Sequence, residues 1–109
     1  MAFTDLSKVE QETVLEVMKF IYTKQEYIGD SEFQTRTGIT RPELEQVIHN
    51  WPSLNDSMLI NQLAINNSFN EVLHGLNISD EVWTAWFSES RDKVREVYFK
   101  WRETNRLKT

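Results

Sequence analysis

The sequence predicts a small all-α domain of five or six helices, on the strength of two observations. Apolar residues recur at the three- and four-residue spacing of a helix through most of the chain. Capping residues and glycines stand at the ends of these apolar stripes. No β-hairpin signal, internal repeat or low-complexity linker is evident. With 109 residues, 27% charged and 39% hydrophobic, residues 1–109 are expected to form one soluble domain.

The first predicted helix begins after Ser7, because Ser7 and Glu10 have the spacing of a capping box. It is expected to end near Lys24, and residues 27–29 then form a short connector. Its buried face is an apolar stripe at helical spacing. The members of that stripe are Val14, Val17, Met18 and Ile21.

Residues 31–51 predict two short helices joined by a turn. Ser31 and Gln34 have capping-box spacing and mark the start of the first of these helices. Gly38 supplies the left-handed conformation in which helices commonly end. The pair is therefore expected to turn sharply at this glycine.

The second helix of the pair has its own start signal. Thr40 and Glu43 form another capping-box pattern, and Pro42 lies in the first turn, where its missing N–H costs nothing. Pro52 is expected to end the helix. The buried face is predicted to consist of Leu44, Val47, Ile48 and Trp51.

A long apolar stripe predicts the next helix, from about residue 59 to a terminator at Gly75. The weak helix formers at residues 66–68 predict either a kink or a division of this helix into two pieces.

Ser79 is the predicted N-cap of the helical region that follows. Residues 88–90 either divide that region into two helices or lie within one long helix over residues 80–105. The final apolar stripe consists of Val94, Val97, Tyr98 and Trp101.

The pair at residues 31–51 resembles a helix-turn-helix. Ile39 and Leu44 follow the turn glycine at hydrophobic positions of that motif, whereas Gln34 stands where it has a small residue. Most such motifs place their second helix in the major groove of DNA. The resemblance implies base-reading residues on this helix, with phosphate contacts from the basic C-terminal helix at about residues 89–106. The candidates are Arg41, Gln46 and His49 for bases, and Lys93, Lys100 and Arg102 for phosphates.

The distribution of charge argues against DNA as the partner. Residues 1–90 carry five Lys or Arg against fourteen Asp or Glu, whereas residues 91–109 carry seven against three. Around the helix pair, residues 24–51 carry three basic and five acidic side chains. DNA affinity depends on cations that neutralise phosphates. We therefore expect a protein partner, and a small DNA-binding regulator is the alternative.

Candidate metal and catalytic residues are few. Glu71 and His74 match half of the carboxylate-bridged metal site of helical bundles, but the sequence has no second Glu-x-x-His. The chain has two histidines and no cysteine, which leaves few further ligands. We expect no catalytic site, cofactor or metal, and a metal-dependent enzyme is the weakest alternative.

The chain has thirteen aromatic residues, and many of them lie towards the C-terminus. Two interpretations of this abundance are open. They either fill one core, or some of them form an exposed interface for a homodimer. The candidate interface residues are Trp83, Trp86 and Trp101. The sequence as a whole predicts a non-catalytic, cytoplasmic interaction or regulatory domain, with a protein or a second copy as partner and no membrane segment.

Overall fold

The computed structural model describes residues 6–50 and 58–106, the last three of them by backbone alone. Within these ranges the fold is all-α, as predicted, with six α-helices and no strand. None of these helices is both long and apolar enough to cross a membrane. The helices are α1 (Lys8–Thr23), α2 (Asp30–Thr37), α3 (Arg41–His49), α4 (Leu59–Asn70), α5 (Asp80–Trp86) and α6 (Arg91–Arg106).

Two of the predicted capping boxes are confirmed. At the start of α1, the Ser7 amide donates to Glu10 Oε1 at 2.8 Å and the Glu10 amide donates to Ser7 Oγ at 3.1 Å. At the start of α3, Thr40 and Glu43 exchange the same two bonds, at 2.8 and 3.2 Å. Each box satisfies N–H groups that have no partner inside the helix.

The predicted capping box at Ser31 is wrong. Helix α2 begins at Asp30, and its N-cap is Gly29, which lies two residues before Ser31 and makes no side-chain capping bond. Asp30 occupies the first position because its carboxylate accepts a hydrogen bond from Arg41 at 2.7 Å. A contact between two elements has therefore outweighed a local capping signal.

The turn after α2 forms as predicted. Gly38 is left-handed, with φ 79° and ψ −1°. A Cβ at this position would lie 3.2 Å from the Asn67 amide nitrogen, so both conformation and space favour glycine. Helix α3 then ends at His49, and the predicted roles of Trp51 and Pro52 lie outside the described residues.

Helix α4 remains α-helical through residues 66–68 and widens only afterwards, into a π-helical turn at Glu71–Gly75. Tertiary contacts hold the weak helix formers at residues 66–68 in α-helical conformation. The side-chain amide of Asn67 donates to the Thr37 carbonyl at 2.6 Å, and Ser68 is buried. The helical stretch ends at Gly75, as predicted.

The C-terminal region is divided into two helices, the first of the two predicted possibilities. Ser79 caps α5, accepting from the Val82 amide at 3.2 Å. The chain turns between α5 and α6, and the Trp83 indole donates to the Glu89 carbonyl there at 2.9 Å. Ser90 Oγ then accepts from the Lys93 amide at 3.2 Å in the first turn of α6.

The fold contains a repeat that the sequence analysis missed. Helices α1 to α3 and α4 to α6 have the same order, a long helix, a short helix and a third helix. A shift of 50 residues takes the start of α2 onto that of α5 and the start of α3 onto that of α6. Residues 28–51 and 78–101 are identical at only five of 24 positions under this shift. The arrangement is therefore retained with little sequence identity.

The long helices of the two halves also correspond in burial. A shift of 51 residues takes each buried residue of α1 onto a buried residue of α4 or the π-helical turn. The buried residues of α1 are Thr13, Val14, Val17, Met18, Phe20 and Ile21, and their counterparts are Ala64, Ile65, Ser68, Phe69, Glu71 and Val72. The same surface of each long helix therefore faces the shared core.

Aromatic side chains join the two halves in that core. The Phe20 ring lies 5.7 Å from Trp86 in edge-on geometry and 5.3 Å from Phe87, between ring centroids. In the second half, Phe69 stacks on Tyr98 at 5.2 Å. These ring contacts between helices distant in sequence make one core.

The repeat suggests a stabilising substitution, Gly29→Ser. Gly29 and Ser79 are equivalent N-caps, but only Ser79 provides a capping oxygen. Gly29 has φ −72°, and a Cβ there would meet no atom within 4 Å. We expect the free energy of unfolding to rise by about 0.5–1 kcal/mol, from the new cap and from a less flexible unfolded chain.

Urea denaturation measures this change. Ser79→Gly is the matched reverse substitution and is expected to lower the free energy of unfolding by a similar amount. A loss of stability in Gly29→Ser would contradict the equivalence of the two caps.

Candidate functional site

The outer face of α3 is the best candidate for a functional surface, because its polar side chains project into solvent. Leu44 and Val47 are buried in the core, and Ile48 is partly buried against it. The exposed residues of this face are Pro42, Glu43, Glu45, Gln46 and His49. The two full charges among them are negative.

Arg41, a predicted base-reading residue, is directed into the protein. Its guanidinium donates to Asp30 Oδ1 at 2.7 Å, to the Ile28 carbonyl at 2.8 Å and to the Tyr22 carbonyl. It also lies 4.4 Å from the centre of the Phe33 ring. The side chain is 11% exposed. Arg41 therefore holds the start of α3 against the preceding segment and offers little to a ligand.

Arg91 makes three of the corresponding contacts in the second half. It is the first residue of α6, as Arg41 is of α3. Its guanidinium donates to Asp80 Oδ1 at 3.0 Å and to the Ile78 carbonyl, and lies 4.7 Å from the Trp83 ring centre. We call each set of contacts an arginine clamp. Each consists of an arginine at the first helical position, an aspartate, an isoleucine carbonyl and an aromatic ring.

The other two predicted base-reading residues are exposed. Gln46 donates to Asn50 Oδ1 at 3.3 Å within its own helix, and His49 lies one turn further on. Both side chains could reach a partner. The structure thus brings Gln46 and His49 to one surface and leaves Arg41 beneath it.

The predicted phosphate-contacting residues lie on α6 and have partners within the chain. Lys100 donates to both carboxylate oxygens of Glu10 at 2.8 and 3.1 Å, and Arg102 lies 5.9 Å from the Tyr98 ring centre. Lys93 is 3.9 Å from Glu96. Through its contact with Glu10, Lys100 lies near the N-terminal end of α1. Arg41 contacts Tyr22 near the other end of the same helix, about 18 Å from Glu10 along the helix axis.

A surface cleft lies beside the first turn of α3. Its volume is about 330 Å³, and its lining consists of Tyr22, Asp30, Arg41, Pro42 and Glu45. The Tyr22 hydroxyl donates to Glu45 Oε2 across it. That hydrogen bond is the main reason why the pKa of Tyr22 is raised, with burial and the negative charge of Glu45 adding to it. The cleft therefore combines an aromatic ring with two carboxylates.

The candidate interface tryptophans are mostly core residues. Trp83 and Trp101 are 5% and 2% exposed, so neither offers a surface to a partner. Trp86 is half-buried, with Lys24 Nζ 4.9 Å from its ring centre. The C-terminal aromatic that does reach solvent is Phe99, at 50% exposure. Its position outside the Val94, Val97, Tyr98 and Trp101 stripe was the sequence signal for this exposure.

In the candidate metal half-site, Glu71 is bound by an arginine. Both carboxylate oxygens of Glu71 accept from Arg36, at 2.7 and 3.0 Å, while His74 is exposed. In the described ranges, no group of three or more acidic, histidine or cysteine side chains is placed to hold a metal. Every buried side-chain nitrogen or oxygen in these ranges also has a hydrogen-bond partner.

The two clamps predict which Arg→Lys substitution lowers the free energy of unfolding more. Lysine keeps the charge but loses the planar fork that reaches the aspartate and the carbonyl together. We expect Arg41→Lys to lower the free energy of unfolding by about 1–3 kcal/mol. Arg91→Lys is expected to cost less, because Arg91 is 37% exposed.

Arg95→Lys is the control for this series, since Arg95 forms an ion pair with Asp92, whose side chain is 92% exposed. Arg95→Lys is expected to change the free energy of unfolding, measured by urea denaturation, by no more than about 0.5 kcal/mol. An Arg41→Lys loss no larger than this control would show that the clamp contributes nothing specific.

The Glu10–Lys100 contact predicts a dependence of stability on acid pH. The hydrogen bond from Lys100 is the largest cause of a lowered Glu10 pKa, and the capping bond from the Ser7 amide adds to it. The stabilisation is therefore fully present above the unfolded pKa of about 4.3 and is lost as the pH falls through the lower folded value.

Glu10→Gln tests this dependence, because glutamine retains the capping geometry without a titrating group. Between neutral pH and about pH 3, the variant should lose less unfolding free energy than the wild type. Glu12→Gln, at an exposed position of the same helix, should behave as the wild type. Equal acid losses in all three proteins would contradict the assignment.

Among the described residues, the features that bear on function are the exposed polar face of α3, the cleft beside it and the arginine clamps at Arg41 and Arg91. Each belongs to a part of the fold whose order of helices repeats. Comparisons of the chain with protein-family models, with curated proteins and with solved structures find no match.

Proposed function

We propose that this chain is a non-catalytic protein-interaction domain, and that the outer face of α3 meets a protein partner. The observation that carries the proposal is the inward position of the Arg41 side chain. The arginine that a helix-turn-helix could direct at a base is held by Asp30 and two backbone carbonyls instead. The full charges left on the exposed face are those of Glu43 and Glu45.

The electrostatics of this face favour a cationic protein surface. Phosphates would meet two carboxylates there, and the affinity of nucleic-acid binding derives largely from cations that replace counterions. A basic protein surface would instead meet complementary charge, which increases association rates and selects partners. Gln46 and His49 add hydrogen-bonding groups on the same face.

A DNA-binding regulator is the second candidate, favoured by the geometry of the helix pair. The left-handed Gly38 and the Thr40 cap set α3 at a sharp turn from α2, and Gln46 and His49 are exposed as a base-reading residue requires. In this candidate, the α6 cations Lys93, Lys100 and Arg102 would supply the phosphate contacts.

Site-specific photo-crosslinking distinguishes the two candidates. A photoreactive residue at Gln46, in cells that produce the protein, is expected to give a protein adduct. Reversal of charge by Glu43→Lys with Glu45→Lys should remove the adduct, because the face would then repel a cationic partner. The same photoreactive residue at Ala85, an exposed position on α5, is the control and should not give this adduct.

Binding to a mixed-sequence DNA duplex, followed by fluorescence anisotropy over a series of salt concentrations, completes the test. We expect no association even at an ionic strength of about 0.01 M. DNA binding that weakens steeply with salt, without a protein adduct at position 46, would reject the interaction domain and favour the regulator.

A further inference from the structure

The cleft beside the first turn of α3 is large enough for one long side chain of another molecule. Its volume of about 330 Å³ is near the lower end of the range for small-molecule sites, about 300–1,000 Å³. Among its lining residues, Asp30 and Glu45 are negative and Arg41 is positive. Arg41 donates to Asp30 and to backbone carbonyls, so these two charges are paired with each other. The lining charge that is left for a ligand is therefore that of Glu45.

The Glu45 carboxylate is held in position but can accept more hydrogen bonds. Its Oε2 accepts from the hydroxyl of Tyr22, which lies on α1. A carboxylate can accept about four hydrogen bonds, and among the described residues only Tyr22 donates to this one. The Glu45 side chain is also exposed. The tyrosine hydroxyl therefore keeps the carboxylate next to the tyrosine ring and leaves acceptor positions open to an incoming donor.

A carboxylate next to an aromatic ring is the arrangement that holds the arginine in both clamps. Each of those arginines donates to an aspartate and lies 4.4 or 4.7 Å from a ring centre. Glu45 and Tyr22 provide a third carboxylate and ring, and no arginine in the described ranges bonds to this carboxylate. A guanidinium suits such a pair because it can bond a carboxylate through two parallel N–H groups and stack on a ring.

The repeat shows that an arginine clamp does not require this additional pair. Tyr22 corresponds to Leu73 under the shift of 51 residues. Glu45 corresponds to Arg95 under the shift of 50 residues, so the second half has no tyrosine and carboxylate at these positions. Arg91 nevertheless bonds to its aspartate and its isoleucine carbonyl. The pair of Tyr22 and Glu45 is therefore specific to the first half, and formation of the clamp does not account for it.

We propose that the cleft beside α3 receives an arginine side chain of the protein partner. The guanidinium donates to the Glu45 carboxylate and lies against the Tyr22 ring. Asp30, whose side chain is 75% exposed, adds negative charge at the edge of the cleft. The inference rests on the proposed function, because it names the group through which a cationic partner meets the α3 face.

Titration with acetyl-arginine amide tests the site, with NMR chemical shifts of the ¹⁵N-labelled protein as the measurement. At an ionic strength of about 0.01 M, shift changes are expected to centre on Tyr22, Asp30 and Glu45. Acetyl-citrulline amide has nearly the same shape without the charge, and it should bind at least about fivefold more weakly. Acetyl-lysine amide with a free ε-amine should also bind more weakly than the arginine compound, because an ammonium cannot make two parallel bonds.

Two substitutions should each weaken binding of acetyl-arginine amide by about fivefold or more. Glu45→Gln removes the charge that is left for the ligand, and Tyr22→Leu introduces the residue found at the equivalent position 73. Glu43→Gln is the matched control, because Glu43 is exposed on the same helix but does not line the cleft, and it should bind as the wild type does. If circular dichroism shows that Tyr22→Leu is unfolded, the Glu45→Gln result decides.

Three outcomes would overturn the inference. They are unchanged shifts in the cleft at about 50 mM acetyl-arginine amide, equal binding of the arginine and citrulline compounds, and undiminished binding by Glu45→Gln. If one of these occurs while the charge-dependent adduct at position 46 still forms, the proposed function stands and the cleft is rejected as an arginine site. Binding of the arginine compound without any adduct would reject the protein partner, and the inference with it, although the cleft would keep its affinity for a guanidinium.

Discussion

The arginine at the first position of the third helix in each half is the constraint on which the rest of the fold depends. A guanidinium as buried as that of Arg41, whose side chain is 11% exposed, is stable only when nearby groups accept its hydrogen bonds. Arg41 finds them on the segment before α2 and on Asp30, and Arg91 finds them around α5. The position of each short helix is thereby tied to the start of the helix that follows it.

Local signals predicted the helix ends well where no distant contact competes with them. The capping box at Thr40 and the left-handed turn at Gly38 depend on residues within one turn of each other, and both are present. The start of α2 could not be predicted in this way, since Asp30 is placed by Arg41, 11 residues away in sequence. The ion pair at the start of the π-helical turn is equally non-local, since Arg36 and Glu71 are 35 residues apart in sequence.

The candidate site was predicted in part, for a related reason. The helical period correctly left Gln46 and His49 on the outside of α3. It left Arg41 outside as well, because no pattern in α3 reveals that the carbonyls of Tyr22 and Ile28 converge on this side chain. The repeat was missed because only five of 24 residues are identical between the halves, and surface residues such as Glu45 and Arg95 differ in charge.

The bridge between Arg36 and Glu71 joins the two halves, and it has a consequence for unfolding. Glu71 is 8% exposed and receives its counter-charge from the other half, and Gly75 supplies the space its carboxylate occupies, since a Cβ there would lie 2.3 Å from Glu71 Oε2. A half released on its own would lose this ion pair and would expose its side of the shared core to water. The three-helix units are therefore repeated in form but not autonomous, and the protein should melt in one cooperative step.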